Sequence, residues 1–240
     1  MVQVPEQTKS DVLLRTLTSV ARNHGPATFS SSLSAEDMVV TDAILSAGLD
    51  IEIFTIDTGR LHADTIQLRD EIRRRYNYDV RVYTPDEDAV SNHVARHGPN
   101  AFYAAPELRR ECCRIRKVEP LKRALSGKNA WITGLRRDSA ASRVSVPLHE
   151  YDSNYAVLKF NPLAEWSEQD VWDYLHAHAV PYNRLYDQGY RSIGCAPCTR
   201  PSIPGEDPRA GRWWWEQTSA KECGLHVAPD GRLVRARESA

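Results

Sequence analysis

No apolar run in this 240-residue chain approaches the roughly 18 residues of a membrane span. The polar opening MVQVPEQTKSD also lacks the apolar core of a signal peptide, so a soluble cytoplasmic protein with no membrane partner is expected. A charge surplus is missing too. The 31 Lys and Arg stand against 32 Asp and Glu, a net charge of −1 that argues against a nucleic-acid-coating protein. Neither GxxxxGK[ST] nor GxGxxG occurs, which excludes a Walker A loop and a dinucleotide fingerprint. There is no internal repeat and no low-complexity stretch. Cysteine is scarce, and all five lie after residue 111. An odd count without a secretion signal argues against a disulfide framework.

What is present suits an ordinary globular protein, with 41% hydrophobic and 26% charged residues. The neutral total hides an asymmetry. Residues 1–108 carry 10 basic and 16 acidic side chains, whereas residues 109–240 carry 21 and 16. The excess concentrates in RRECCRIRKVEPLKR (109–123), where seven basic residues face two acidic ones. A local basic cluster in a neutral chain suits either a solvated helix face or a small anionic ligand or cofactor.

The first two-thirds alternate between strand-like and helix-like segments. ATFSS (27–31), IEIFTID (51–57), DVRVYT (79–84) and AWITGL (130–135) read as strands. Between them lie helical patterns at 35–47, 62–76, 85–97 and 107–125. The order predicts an α/β fold with a doubly wound, mostly parallel sheet covered by helices on both faces. Ligands in such folds sit beyond the carboxyl ends of the strands. The loops Ser30–Asp37, Asp57–Arg60 and Gly134–Arg143 are therefore the candidates. YAVLKFNPL (155–163) reads as a further strand, and Ser167 to Asp170 as a capping-box start to a helix. Past Pro181 the chain is rich in Tyr, Gly, Pro and Arg, an irregular C-terminal extension.

The serine loop FSSSLSAEDMVV puts three hydroxyls after a strand and before a helix that opens with Glu36 and Asp37. It suits an anion cradle and equally an ordinary N-capped helix. The adjacent pair Cys112-Cys113 and the pair Cys195-Ala-Pro-Cys198 look like a four-thiolate metal site. Iron–sulfur, zinc and unmetallated redox thiols all remain open on spacing. The first is favoured because neighbouring side chains on a helix diverge by roughly 100°, which a multi-iron cluster tolerates better than one tetrahedral ion. Cys223, in KECGLH, is left over, and Lys221 and His226 would favour its nucleophilic thiolate. A bystander thiol is the bland alternative.

The segments SSSLSAEDMVV, FTIDTGRLHADT, ECCRIRKVEPL, WITGLRRD followed by SR, KFNPLAEWSEQDVW, GCAPCTRP and KECGLH occur in that order between about residues 28 and 226. Together they resemble the assimilatory adenylyl-sulfate reductase family of the adenine-nucleotide alpha-hydrolase-like (PP-loop) superfamily. The resemblance implies that fold for residues 1–208, with a C-terminal tail, 209–240, bearing the catalytic cysteine. It implies that Cys112, Cys113, Cys195 and Cys198 ligate one 4Fe–4S cluster. Cys223 would attack the sulfur of adenylyl sulfate, expel AMP and become an S-sulfocysteine, from which thioredoxin or a glutaredoxin-like dithiol releases sulfite. Lys117 would bridge cluster and sulfate, and His226 would belong to the terminal motif. Arg143, Arg209 and Arg212 would hold the phosphosulfate. Ser30, Ser31, Ser32, Asp37, the run Asp57, Thr58, Gly59 and Arg60, and Thr133 with Gly134 would bind adenosine and phosphate. A reductase of the 3′-phosphorylated nucleotide, or of both, is the runner-up. A non-catalytic iron–sulfur nucleotide sensor is the reading from another class. Homo-oligomer formation stays open. The chain departs from the family pattern at Ser34, where glycine is usual. If that position needs φ > 0, the serine costs about 1 kcal/mol.

Overall fold

A computed structural model describes residues 7–139, 143 and 145–216. Helix α1 (Lys9–Asn23) starts on a capping box in which Thr8 and Asp11 exchange hydrogen bonds. It buries Leu13, Leu17 and Val20, spaced to share one helical face. This helix precedes the alternation read from the sequence, although its pattern is legible there. Strand β1 (Ala27–Ser30) then leads through the serine loop to α2 (Ala35–Ser46), and β2 (Glu52–Ile56) leads to α3 (Ala63–Tyr76). The short β3 (Arg81–Tyr83) and α4 (Glu87–His97) follow.

The helix expected over 107–125 is three pieces. Helix α5 (Pro106–Cys113) passes into a π-turn over Arg114–Val118 and then into α6 (Glu119–Leu125). Pro120 has no N–H to return to the Arg116 carbonyl, and the wider turn just before it takes up the misfit, with Glu119 N–H bonding Arg114 O. Strand β4 (Ala130–Ile132) follows, then the antiparallel pair β5 (His149–Asp152) and β6 (Val157–Phe160), then α7 (Glu168–Ala177). The sequence pattern does not disclose β5.

The six strands lie in the order β3-β2-β1-β4-β6-β5, parallel except for β5. Alternating side chains feed two cores. Phe29, Ile53 and Ile132 join Met38, Ile44 and Leu17 on one face, while Phe54 and Trp131 meet Leu121 and Leu125 of α6 on the other. Helix α2 is buried nearly all round, from Met38 to Ile44. Among the described residues no helix is long and apolar enough to cross a membrane.

Ser34 corrects the glycine expectation. Its φ is −76°, and its side chain caps α2 by accepting the Asp37 N–H at 3.5 Å. The left-handed position is Leu33 beside it, at φ 62° and fully buried. Serine is therefore a favoured residue here, not a strained one.

Candidate functional site

Strand order reverses between β1 and β4, so the loops leaving their carboxyl ends part and open a crevice. A cavity of about 250 Å³ occupies it. On one side stands the serine loop with Ser30, Ser31, Ser32 and Asp37, and on the other Thr133, Gly134 and Arg143. Thr58 enters from the loop after β2 and Lys117 from the π-turn, and Arg209 and Arg212 from the C-terminal third.

The serine loop is tied internally. Asp37 Oδ2 accepts the Ser32 N–H at 2.6 Å and the Ser32 hydroxyl at 2.7 Å. Leu33 N–H donates to Ser31 Oγ at 3.2 Å. Burial pushes the Asp37 carboxyl up to about 6, outweighing these bonds to Ser32. Gly134 is pressed against it, and a Cβ there would collide with Asp37 Oδ1. Thr133 Oγ1 is held at 2.6 Å from Asn161 Oδ1, which anchors the second loop to β6.

The cationic wall is built by long-range packing. Arg212 is 6% exposed, and it donates to Ile193 O at 3.0 Å and Ser192 Oγ at 3.3 Å. Its Nε has no hydrogen-bond partner among the described residues. Gly194 makes room for it, since a Cβ there would lie 2.5 Å from Nη2. Trp213 is held at φ 44° with the guanidinium carbons of Arg212 and Arg109 at 4.7 and 4.5 Å from its ring centroid.

A second, smaller cavity adjoins the first. Cys112, Cys113, Cys195 and Cys198 all line it, with Arg60, Arg109, Arg116 and Phe102. Lys117 and Cys195 line both cavities. The turn Cys195–Cys198 is closed by Cys198 N–H on Cys195 O at 2.9 Å and seated by Ala196 N–H on Arg60 O at 2.8 Å. Cys195 Sγ lies 3.3 Å from the Thr58 hydroxyl. Burial pushes the Cys198 thiol up to about 11, with Cys195 adding to it, and burial also raises Cys112. Cys195 is different. Burial pushes it up, but Lys117, the Thr58 hydroxyl, Arg212 and Arg116 together bring it below the ordinary thiol range. Among the described residues the cysteines form no disulfide, and no three His, Cys, Asp or Glu side chains converge as one ion requires. Four thiols line one cavity with cations at its wall, a donor set whose chemistry suits a thiolate-bound metal group.

Asp57, Gly59 and Arg60 do not line the crevice at the strand switch point. Asp57 Oδ1 accepts the Gly59 N–H at 2.9 Å and shapes the turn, while Arg60 reaches Asn100 at 2.9 Å and belongs to the thiol side. Cys223 and His226 lie outside the described residues. Residues 209–216, where the tail is expected to begin, pack closely. Trp213 is 1% exposed, and Glu216 meets the buried Arg109 Nε at 2.5 Å. Sequence reasoning missed the apolar wall of Phe54, Leu121 and Trp131, and the pair Glu36–Arg136 at 2.9 Å on the rim. Trp131 and Phe54 read only as strand residues, and Arg136 carried no signal beyond its neighbour Arg137.

Residues 26–201 match the phosphoadenosine phosphosulfate reductase domain. An adenosine 5′-phosphosulfate reductase of Burkholderia cepacia is 53% identical over 211 residues, 88% of this chain and 84% of that protein. One of Neisseria meningitidis serogroup A is 52% identical over 219 residues, 91% and 90% of the two chains. The crystal structure of phosphoadenylyl-sulfate reductase from Candida auris in its phosphate complex superposes with a TM-score of 0.66 at 27% identity. That match covers 81% of this chain and 91% of the other.

Proposed function

The chain belongs to the phosphoadenosine phosphosulfate reductase domain family, and within it we propose that it reduces adenylyl sulfate to sulfite and AMP in sulfate assimilation, as the names of its half-identical relatives suggest. The observation that carries the reading is the shared wall. Lys117 and Cys195 line both the crevice at the strand switch point and the four-thiol cavity. An anion in the crevice thus lies beside the cysteine-bearing turn, with Arg143, Arg209 and Arg212 around it.

The Cys223 thiolate attacks the sulfate sulfur of the substrate. An S–S bond forms, the S–O bond to the phosphate breaks, and AMP departs with the electron pair. Arg and Lys at the crevice meet the charge that develops on the leaving phosphate. A dithiol, thioredoxin or a similar protein, then attacks the Cys223 sulfur. Sulfite leaves with its electron pair, and the dithiol ends as a disulfide, which balances the two-electron reduction. His226 lies near Cys223 in sequence and favours its thiolate. Cys112, Cys113, Cys195 and Cys198 would hold a 4Fe–4S cluster. Bound there, it would supply a concentrated negative charge for Lys117 and Arg116 to offset, with its ligands coming from α5 and the 195–198 turn.

The test is incubation with labelled adenylyl sulfate without reductant, followed by mass spectrometry of the Cys223 peptide. One added SO₃ that a dithiol protein removes is expected. Absence of the adduct, or sulfite production by Cys223→Ser near the wild-type rate, defeats the mechanism. The ratio of kcat/KM for the two nucleotides separates strict from dual use.

A further inference from the structure

The serine loop carries four hydroxyls whose commitments differ. Ser32 spends its proton on Asp37 Oδ2 at 2.7 Å. Ser31 and Ser34 accept N–H groups of their own loop, from Leu33 at 3.2 Å and Asp37 at 3.5 Å. Ser30 is oriented from outside the loop, because its Oγ accepts the indole N–H of Trp131 at 2.8 Å across the sheet. An indole nitrogen is a donor only, so Ser30 must be the acceptor of that pair. Its own proton then remains to be given elsewhere, and Ser30 lines the crevice.

Trp131 has little freedom to do otherwise. It is fully buried, fixed in register between Thr28 of β1 and Lys159 of β6. Lys159 Nζ lies 5.1 Å from its ring centroid, and Tyr155 packs edge-on at 5.4 Å. Lys159 is in turn held by Glu150 at 3.3 Å, an ion pair as buried as the indole's surroundings. The ring is thus clamped on its faces while its N–H points to one oxygen.

We propose that Trp131 is a positioning residue for the nucleotide's anion: by donating to Ser30 Oγ it makes that hydroxyl a hydrogen-bond donor to the ligand's phosphate. This rests on the adenine-nucleotide reading of the crevice. The polarised chain from indole to hydroxyl to phosphate strengthens each bond in it, and a phosphate oxygen is the acceptor that gains most. An uncharged nucleoside, lacking that oxygen, gains nothing from the arrangement.

Calorimetric titration of the full chain with AMP and with adenosine tests it. Trp131→Phe keeps an aromatic side chain, a smaller one, and removes the N–H. AMP affinity is expected to fall about tenfold more than adenosine affinity, whose own change reports what the smaller ring costs the crevice wall. Ser30→Ala should give the same selective loss, and adding Trp131→Phe to it should bring no further loss of AMP binding. Equal losses for both ligands, or independent multiplying losses in the double variant, overturn the proposal. If Trp131→Phe does not fold, the indole ¹⁵N–H resonance of Trp131 in the wild-type chain decides: it should shift with AMP and not with adenosine, and a shift common to both overturns it. A wild-type chain that binds AMP no better than adenosine would instead remove the nucleotide reading beneath it.

Discussion

The two adjoining cavities are built on opposite principles. The crevice at the strand switch point is completed by the protein's own polar bonds: Ser32 to Asp37, Thr133 to Asn161, Trp131 to Ser30. Its shape exists before any ligand arrives, which is what binding by preorganisation requires. The thiol cavity is walled by rings and guanidinium groups, Phe102 and Trp213 with Arg109 and Arg116, while its donors are thiols, two of which, Cys112 and Cys198, burial pushes up. On the cluster reading proposed above, it would be completed only when those thiols bind as thiolates. The crevice is finished by folding, and the thiol cavity would be finished by loading.

The largest effects should come from the second region. If the proposed cluster is bound there, replacing any one of Cys112, Cys113, Cys195 or Cys198 by Ser is expected to strip its iron and to cost stability well beyond the ~1 kcal/mol of a typical substitution. Iron analysis and thermal melts check this, and a fully active, iron-free Cys113→Ser chain would erase the contrast. Next comes the shared wall. Lys117→Ala should lower the first-step rate by roughly 100-fold while changing AMP affinity little, because AMP lacks the sulfate. Parallel losses in single-turnover rate and AMP affinity would place Lys117 on the nucleotide instead.

Two glycines sharpen the comparison further. Gly134→Ala forces a methyl onto Asp37 in the preformed crevice, so roughly 1–3 kcal/mol of stability should be lost along with AMP binding. Gly194→Ala meets the Arg212 guanidinium and would displace it from its bonds to Ile193 and Ser192 in the crevice wall without touching backbone. It should therefore cost turnover more than stability. Urea unfolding and steady-state kinetics on both variants separate the two outcomes, and equal destabilisation would blur the distinction.

The last effect is a pH slope, which leaves the fold intact at neutral pH. The Asp37 carboxyl sits at about 6 in the fold against 3.8 in an ordinary chain, so folding favours its neutral form. Its contribution is fully present below pH 4 and is lost as pH rises through 6, with at most one proton, ~1.4 kcal/mol per pH unit, in the slope. Asp37→Asn should flatten urea-unfolding stability between pH 4 and 6. An unchanged slope would assign the titration elsewhere.

Much of the fold was legible. The strand at 52–56 announces itself by β-branched alternation, those at 27–30 and 130–132 by short strand-like runs between helical patterns, and the helix start at Ser167 by its capping chemistry, whereas the cap at Ser34 only the fold disclosed. β5 was not, because HEYD has no apolar alternation and owes its pairing to β6. The π-turn at Arg114–Val118 also escaped notice, although Pro120 marks where the helical ladder had to break. In the site, the family resemblance had named the serines, Thr133, Gly134 and the three arginines, and all of them line the crevice. That Thr58 reaches the crevice while Asp57, Gly59 and Arg60 do not was a matter of one turn's geometry.

The sequence by itself determined the chemical inventory: thiols in two pairs, a cationic helix around them, a hydroxyl-rich loop after a strand, and an alternation that admits one sheet architecture. Tertiary structure decided who meets whom. Trp131 and Ser30 stand 101 residues apart, and Arg109 and Glu216 stand 107 apart. No local spacing encodes such pairs, because strand order and the packing of buried faces bring them together only after the chain has closed its core.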